Sequence, residues 1–182
     1  MELTQNFEAR YAGWLARLNI RVLGWERVPR ESLMDLAVPP RVRTLQEAVA
    51  SAGWIVVAAA VAIDPTLFSG TKVTLQVTQT LKGAPLAQVT LVQPGGLDPT
   101  SDWKGVIVGT SVTNPLLLPG QRAMLFLSRA PASGEFTVQP VTGLCMVVDG
   151  QLQPVVGNPF GAEVAGKTLS EVSDRVWTMV LS

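Results

Sequence analysis

The amino-acid sequence predicts a mainly β protein, an antiparallel barrel or sandwich of about seven strands, with an amphipathic helix at the N-terminus and another at the C-terminus. Three observations carry this. Thr71 to Leu81 alternates strictly, Val73, Leu75 and Val77 on one face and Thr74, Gln76 and Thr78 on the other, as a half-buried strand does. Asp149-Gly150 sits between two short apolar runs, and both positions tolerate the positive φ of a tight hairpin. Further short runs at Val89 to Leu91, Val106 to Val112, Ala123 to Ser128, Phe136 to Val141, Leu144 to Val148 and Gln151 to Val156 read as strands separated by turn residues.

At the N-terminus Leu3, Phe7, Tyr11, Trp14, Leu18 and Val22 recur three or four residues apart, the stripe of an amphipathic helix. Gly24 offers its stop, so the helix is expected over residues 1–24. The pattern then dissolves, and Pro29 and Pro39-Pro40 mark an irregular strap or linker over 25–43. The barrel-like domain is expected over 44–182. It opens with a capping box, Thr44 with Glu47, before a short helix that Gly53 ends.

Trp54 to Ile63 is continuously apolar, and its β-branched content favours a buried strand, although Ala58, Ala59 and Ala60 leave a helix open. Lys82-Gly83 breaks the alternating strand, and Pro94-Gly95-Gly96 opens a polar loop reaching Lys104. A second capping box, Thr168 with Glu171, starts the terminal helix, whose inner face is Leu169, Val172, Val176 and Val180. Trp54 and Trp177 are expected on buried elements.

Composition bounds the function. A chain of 182 residues buries about 70% of its unfolded surface and needs no staples. Fourteen basic and fourteen acidic residues cancel, and within the first 43 positions the seven arginines, Arg10 to Arg43, exceed the five acids by only two. No field favours a polyanion, so nucleic acid is not expected as a partner. Apolar residues make up 47% and mean hydropathy is +0.30, which excludes disorder. The uncharged, mostly apolar stretch Ala52 to Ile63 is too short for a bilayer, and Glu2 and Glu8 are foreign to a signal peptide.

The chain has no histidine, which removes the usual general base, metal ligand and pH switch together. No metal, cofactor or catalytic residue is predicted. The lone Cys145, flanked by Leu144 and Met146, reads as a buried thiol. No Gly-x-Ser-x-Gly elbow is present, and Lys72, Lys82, Lys104 and Lys167 lie in polar contexts that read as solvent-exposed.

Three residues remain as candidate ligand contacts, Trp103, Asp98 and Asp102, which share the loop from Pro94 to Lys104. Paired carboxylates there could serve a hydrolase, or, with the ring, a glycan site. The apolar stripe of Phe7, Tyr11, Trp14 and Leu18 is the candidate protein-interaction surface, docking on its own barrel, on a second copy or on another protein.

From Ala52 to Val172 the order of elements resembles a small β domain found in many uncharacterised bacterial extracytoplasmic proteins. The pieces are Trp54 to Ala62, Thr80-Leu81-Lys82-Gly83, Leu118-Pro119-Gly120-Gln121 before Met124 to Leu127, Val148-Asp149-Gly150 and Asn158-Pro159-Phe160. The strand ending in Leu81-Lys82-Gly83, and Pro119-Gly120 before an apolar strand, also resemble the OB-type barrel of netrin-like and metalloproteinase-inhibitor domains. The resemblance implies an OB-like barrel and an extracytoplasmic setting, and names no site. The N-terminal cysteine and disulfides of the inhibitors are absent, so inhibition does not carry over. The expectation is a non-enzymatic binding or structural module, with the N-terminal helix docking or self-associating. A small-ligand or glycan-binding barrel is the alternative, ahead of a carboxylate-dependent hydrolase.

Overall fold

The computed structural model describes residues 42–66, 70–93, 115–130, 134–139 and 143–182, together with the strands at 21–24, 96–97 and 106–110. Its strands in chain order are β1 (Arg21–Gly24), β2 (Trp54–Thr66), β3 (Gly70–Lys82), β4 (Gln88–Gln93), β5 (Gly96–Leu97), β6 (Val106–Thr110), β7 (Arg122–Arg129), β8 (Phe136–Val138), β9 (Leu144–Val148) and β10 (Gln151–Pro154). The helices are α1 (Leu45–Ser51), α2 (Gly161–Val164) and α3 (Leu169–Leu181).

Five strands close on themselves. β2, β3 and β4 form an antiparallel meander, β4 meets β8 in parallel, and β8 and β2 flank β7, both antiparallel to it. Taken in chain order the ring runs first, second, third, fifth, fourth strand. This Greek-key closure is consistent with an OB-like barrel, so the choice between barrel and sandwich falls to the barrel. Three register shifts along β2, at Ile55/Val56, Val57/Ala58 and Ala60/Ala62, bend the strand around so small a ring.

The edge of β7 opposite β2 is shared. Leu127 to Arg129 pair with β8 and Arg122 to Leu125 with β9. Between them Phe126 N–H donates to Gly143 O and Gln139 N–H donates to Phe126 O. The chain therefore leaves the ladder at Gln139 and rejoins it at Gly143, where a Cβ would collide with the backbone of Gln139. β10 completes the sheet beyond β9 through the Asp149-Gly150 turn, with φ of 52° and 80°.

Two cores lie back to back across β2 and β7. Inside the barrel are Val56, Ala58, Ala60, Val73, Leu75, Leu91, Leu125 and Leu127. Outside it, Ile55, Val57, Met124 and Phe126 pack on the helices through Leu45, Val49, Phe160, Val172 and Val176. Both strands are thus buried on two faces, which is why β2 reads as one apolar run.

Both capping boxes form: Thr44 and Thr168 accept from the backbone N–H of Glu47 and Glu171, whose carboxylates accept in return. The Glu163 carboxylate accepts from Leu45 N–H at the start of α1 and pairs with Arg175 of α3 at 3.1 Å. No helix among the described residues is long and apolar enough to cross a membrane.

Three expectations are corrected. Arg21–Gly24, assigned above to the end of the N-terminal helix, form β1 and pair in parallel with β6. A run as short as Arg21-Val22-Leu23 fits either period, and pairing with the apolar run Val106 to Val108 selects the extended form. Lys82 is not a free surface lysine, because its Nζ donates to Val49 O at 2.6 Å and Ala50 O at 3.1 Å, satisfying carbonyls that α1 leaves open. Trp177 stands on a packed helix yet is 40% exposed, being off the Val172–Val176 stripe. The remaining length of the expected N-terminal helix lies outside the described residues.

Candidate functional site

The barrel has two ends with different chemistry. At one, Leu116, Leu117 and Leu118 fill the bore, and two buried glutamines hold them there. Gln93 donates to Pro115 O and accepts from Leu117 N–H, while Gln121 accepts from Leu118 N–H. These are the partners that an extended segment needs when it lies inside a barrel without a strand to pair with.

At the other end β2 begins, β3 and β7 finish and β8 starts. Trp54 faces inward at this mouth, in phase with Val56 and Ala58, and Phe136 meets it edge to face, ring centroids 5.2 Å apart and planes at 89°. Arg129 is in phase with Leu125 and Leu127 on β7, so it too points to the mouth. Its guanidinium carbon lies 5.6 Å from the centre of the Trp54 ring and 5.0 Å from that of Phe136, within reach of both π faces. Arg129 remains exposed, with no carboxylate partner among the described residues.

Gly83 completes the wall. Its φ is +91°, and a Cβ there would stand 2.7 Å from Trp54 Nε1 and 2.8 Å from Gly53 O. Glycine is required twice over, for the left-handed turn that ends β3 and for the approach of the indole. Trp54 Nε1 is buried without an acceptor among the described residues. An unsatisfied buried donor costs about 1–3 kcal/mol.

No family model matches this chain, and no curated protein matches it. The reading of the site therefore stands on the geometry above.

The predicted site residues Trp103, Asp98 and Asp102 lie outside the described residues, as do Phe7, Tyr11, Trp14 and Leu18. The strands that bracket the first three, β5 and β6, pair antiparallel through Gly96 with Val108 and Leu97 with Ile107. Among the described residues no group of His, Cys, Asp or Glu is placed to hold a metal ion. Cys145 is buried beneath the helical layer, and burial pushes its thiol up to about 12; Asn158 Nδ2 lies 4.0 Å from its Sγ.

The mouth residues Arg129 and Phe136 were not singled out from the sequence. A signal was present: continuing the alternation of Leu125 and Leu127 by one step puts a cation, Arg129, on an inward position. Only the closure of β7 on β8 shows that this position is the rim.

On the outer surface, β3 and β4 turn Lys72, Thr74, Gln76 and Thr78, with Gln88, Thr90 and Val92, away from the barrel interior. Gln76 and Thr78 are engaged with Ala87 O and Val57 O. Among the described residues of β3 and β4 this face carries one cation and no aromatic ring.

Proposed function

We propose that this protein is a non-enzymatic binding module of extracytoplasmic setting, an OB-type barrel that receives a ligand at the mouth formed by Trp54, Phe136 and Arg129. The observation that carries the reading is Arg129, a cation without a carboxylate partner among the described residues, held over two perpendicular aromatic rings at the barrel end that Leu116–Leu118 do not fill. Aromatic walls with few polar groups are the usual lining of ligand sites in small barrels. Among the described residues the outer face of β3 and β4 holds Lys72 but no ring on which a base of single-stranded nucleic acid would stack, which supports a partner other than nucleic acid. The resemblance to netrin-like domains supports the extracytoplasmic setting through Leu81-Lys82-Gly83 and Leu118-Pro119-Gly120, both turns at barrel ends.

The test is a screen of the 15N-labelled chain against monosaccharides, short peptides and small organic acids, following the Trp54 indole N–H and the Arg129 Nε–H. At least one class is expected to move both signals saturably, and the effect should vanish in Trp54→Leu. Responses confined to other residues would overturn the assignment of the mouth.

A second reading rests on α3. Trp177 and Leu181, one turn apart, are 40% and 80% exposed, and with the stripe of Phe7, Tyr11, Trp14 and Leu18 they favour association with a second copy. Light scattering over a concentration series decides it. Assembly of the full chain, lost in a chain starting at Val42, supports the reading, and a monomer at every concentration overturns it.

A further inference from the structure

We infer that the group bound at the barrel mouth is an oxyanion, a carboxylate or a phosphate, taken by Arg129. The inference rests on the mouth being the ligand site and adds what chemistry it selects.

A guanidinium is a planar fork of five N–H donors, and stacking on an aromatic ring occupies a face of that plane and leaves its donor edges open. Arg129 is in that state: two rings lie within 5.6 Å of its central carbon, and no carboxylate pairs with it among the described residues. The contrast within the same chain is Arg175, whose Nη1 and Nη2 are spent on the backbone and side chain of Glu163. A fork already held by two rings loses less rotamer freedom when it binds, and its geometry matches the two oxygens of a carboxylate or phosphate.

Lys82 stands opposite Ile55 in the β2–β3 register, beside Trp54 at the same barrel end. Its ammonium donates to the carbonyls of Val49 and Ala50. Lys82 is thus directed to the end of α1, and Arg129 is the cation left over the rings, with no carboxylate partner among the described residues. A neutral sugar would use the rings and leave the open fork unmatched, and a cation would be repelled.

The experiment titrates the full 15N-labelled chain with sodium acetate and with inorganic phosphate, holding ionic strength constant with sodium chloride. The Arg129 Nε–H signal and the Trp54 indole N–H, which is shielded beside Gly83 and senses the mouth without touching solvent, are the readouts. Saturable shifts of both are expected with acetate, phosphate or both, the two arms separating a carboxylate from a phosphate ligand; Arg129→Gln should lose the response, and Arg129→Lys should retain a weaker one. Oxyanion protection of Arg129 from phenylglyoxal, mapped by peptide mass, is an independent measurement on the unaltered chain. Shifts equal to those with chloride, or unchanged in Arg129→Gln, or no protection, overturn the inference. Glucose and N-acetylglucosamine run in parallel: if they move the mouth signals and oxyanions do not, the mouth is a ligand site of another chemistry and the oxyanion alone falls, whereas silence from every probe removes both.

Discussion

Gly83 and Cys145 show how single positions are constrained here. Gly83→Ala combines a left-handed backbone with a collision against the Trp54 indole and Gly53 O, so a loss of roughly 2 kcal/mol or more is expected in urea denaturation, together with a changed Trp54 environment in fluorescence. Cys145 is buried, and burial in apolar surroundings holds its thiol up to about 12. It should resist thiol reagents in the native protein and react at once on unfolding. The folded value lies above the unfolded one, so this group's contribution is intact below the ordinary thiol range and is lost as pH rises from there toward about 12. Cys145→Ala should flatten that alkaline decline, as read by denaturation at a series of pH values.

Among the elements, α3 depends on its first turn. The Thr168 hydroxyl and then the Thr168 backbone N–H donate to Glu171, and Lys167 adds a smaller attraction, which holds the Glu171 carboxyl below its usual value. A depressed carboxylate contributes stability above its unfolded pKa and loses it as pH falls through the folded one. Acid should therefore fray α3 from its N-terminus, visible as faster amide exchange at 169–172, and Glu171→Gln should remove that dependence. Thr168→Ala should cost about 1 kcal/mol at neutral pH. The helix ends were legible in the sequence because a capping box is a local pattern; the exposure of Trp177 was not, since it depends on how far the sheet extends beneath α3.

For the whole molecule, the decisive feature is that β2 and β7 belong to two cores at once. Removing the Phe126 ring, which lies 5.6 Å from that of Phe160 at 59°, opens a cavity on the helical side but weakens strands that also line the barrel. Phe126→Ala should lower stability by about 3–5 kcal/mol. Unfolding should remain one transition, with Trp54 fluorescence from the barrel and far-UV dichroism from the helices coincident; separate midpoints would show that the cores are independent.

Eight strand positions, the two capped helices, the Asp149-Gly150 hairpin and the burial of Cys145 were all readable in the sequence, because each is set by neighbours a few residues away. Periodicity reports which face is apolar, and turn chemistry reports where the chain reverses. What the sequence left open is how the faces meet: that β4 lies parallel to β8, that β7 is shared between β8 and β9, and that Trp54, Gly83, Arg129 and Phe136, spread over 83 positions of chain at their extremes, form one rim. Those pairings follow from closing a short ring so that no edge is left unpaired, a condition on the whole chain that no local window contains.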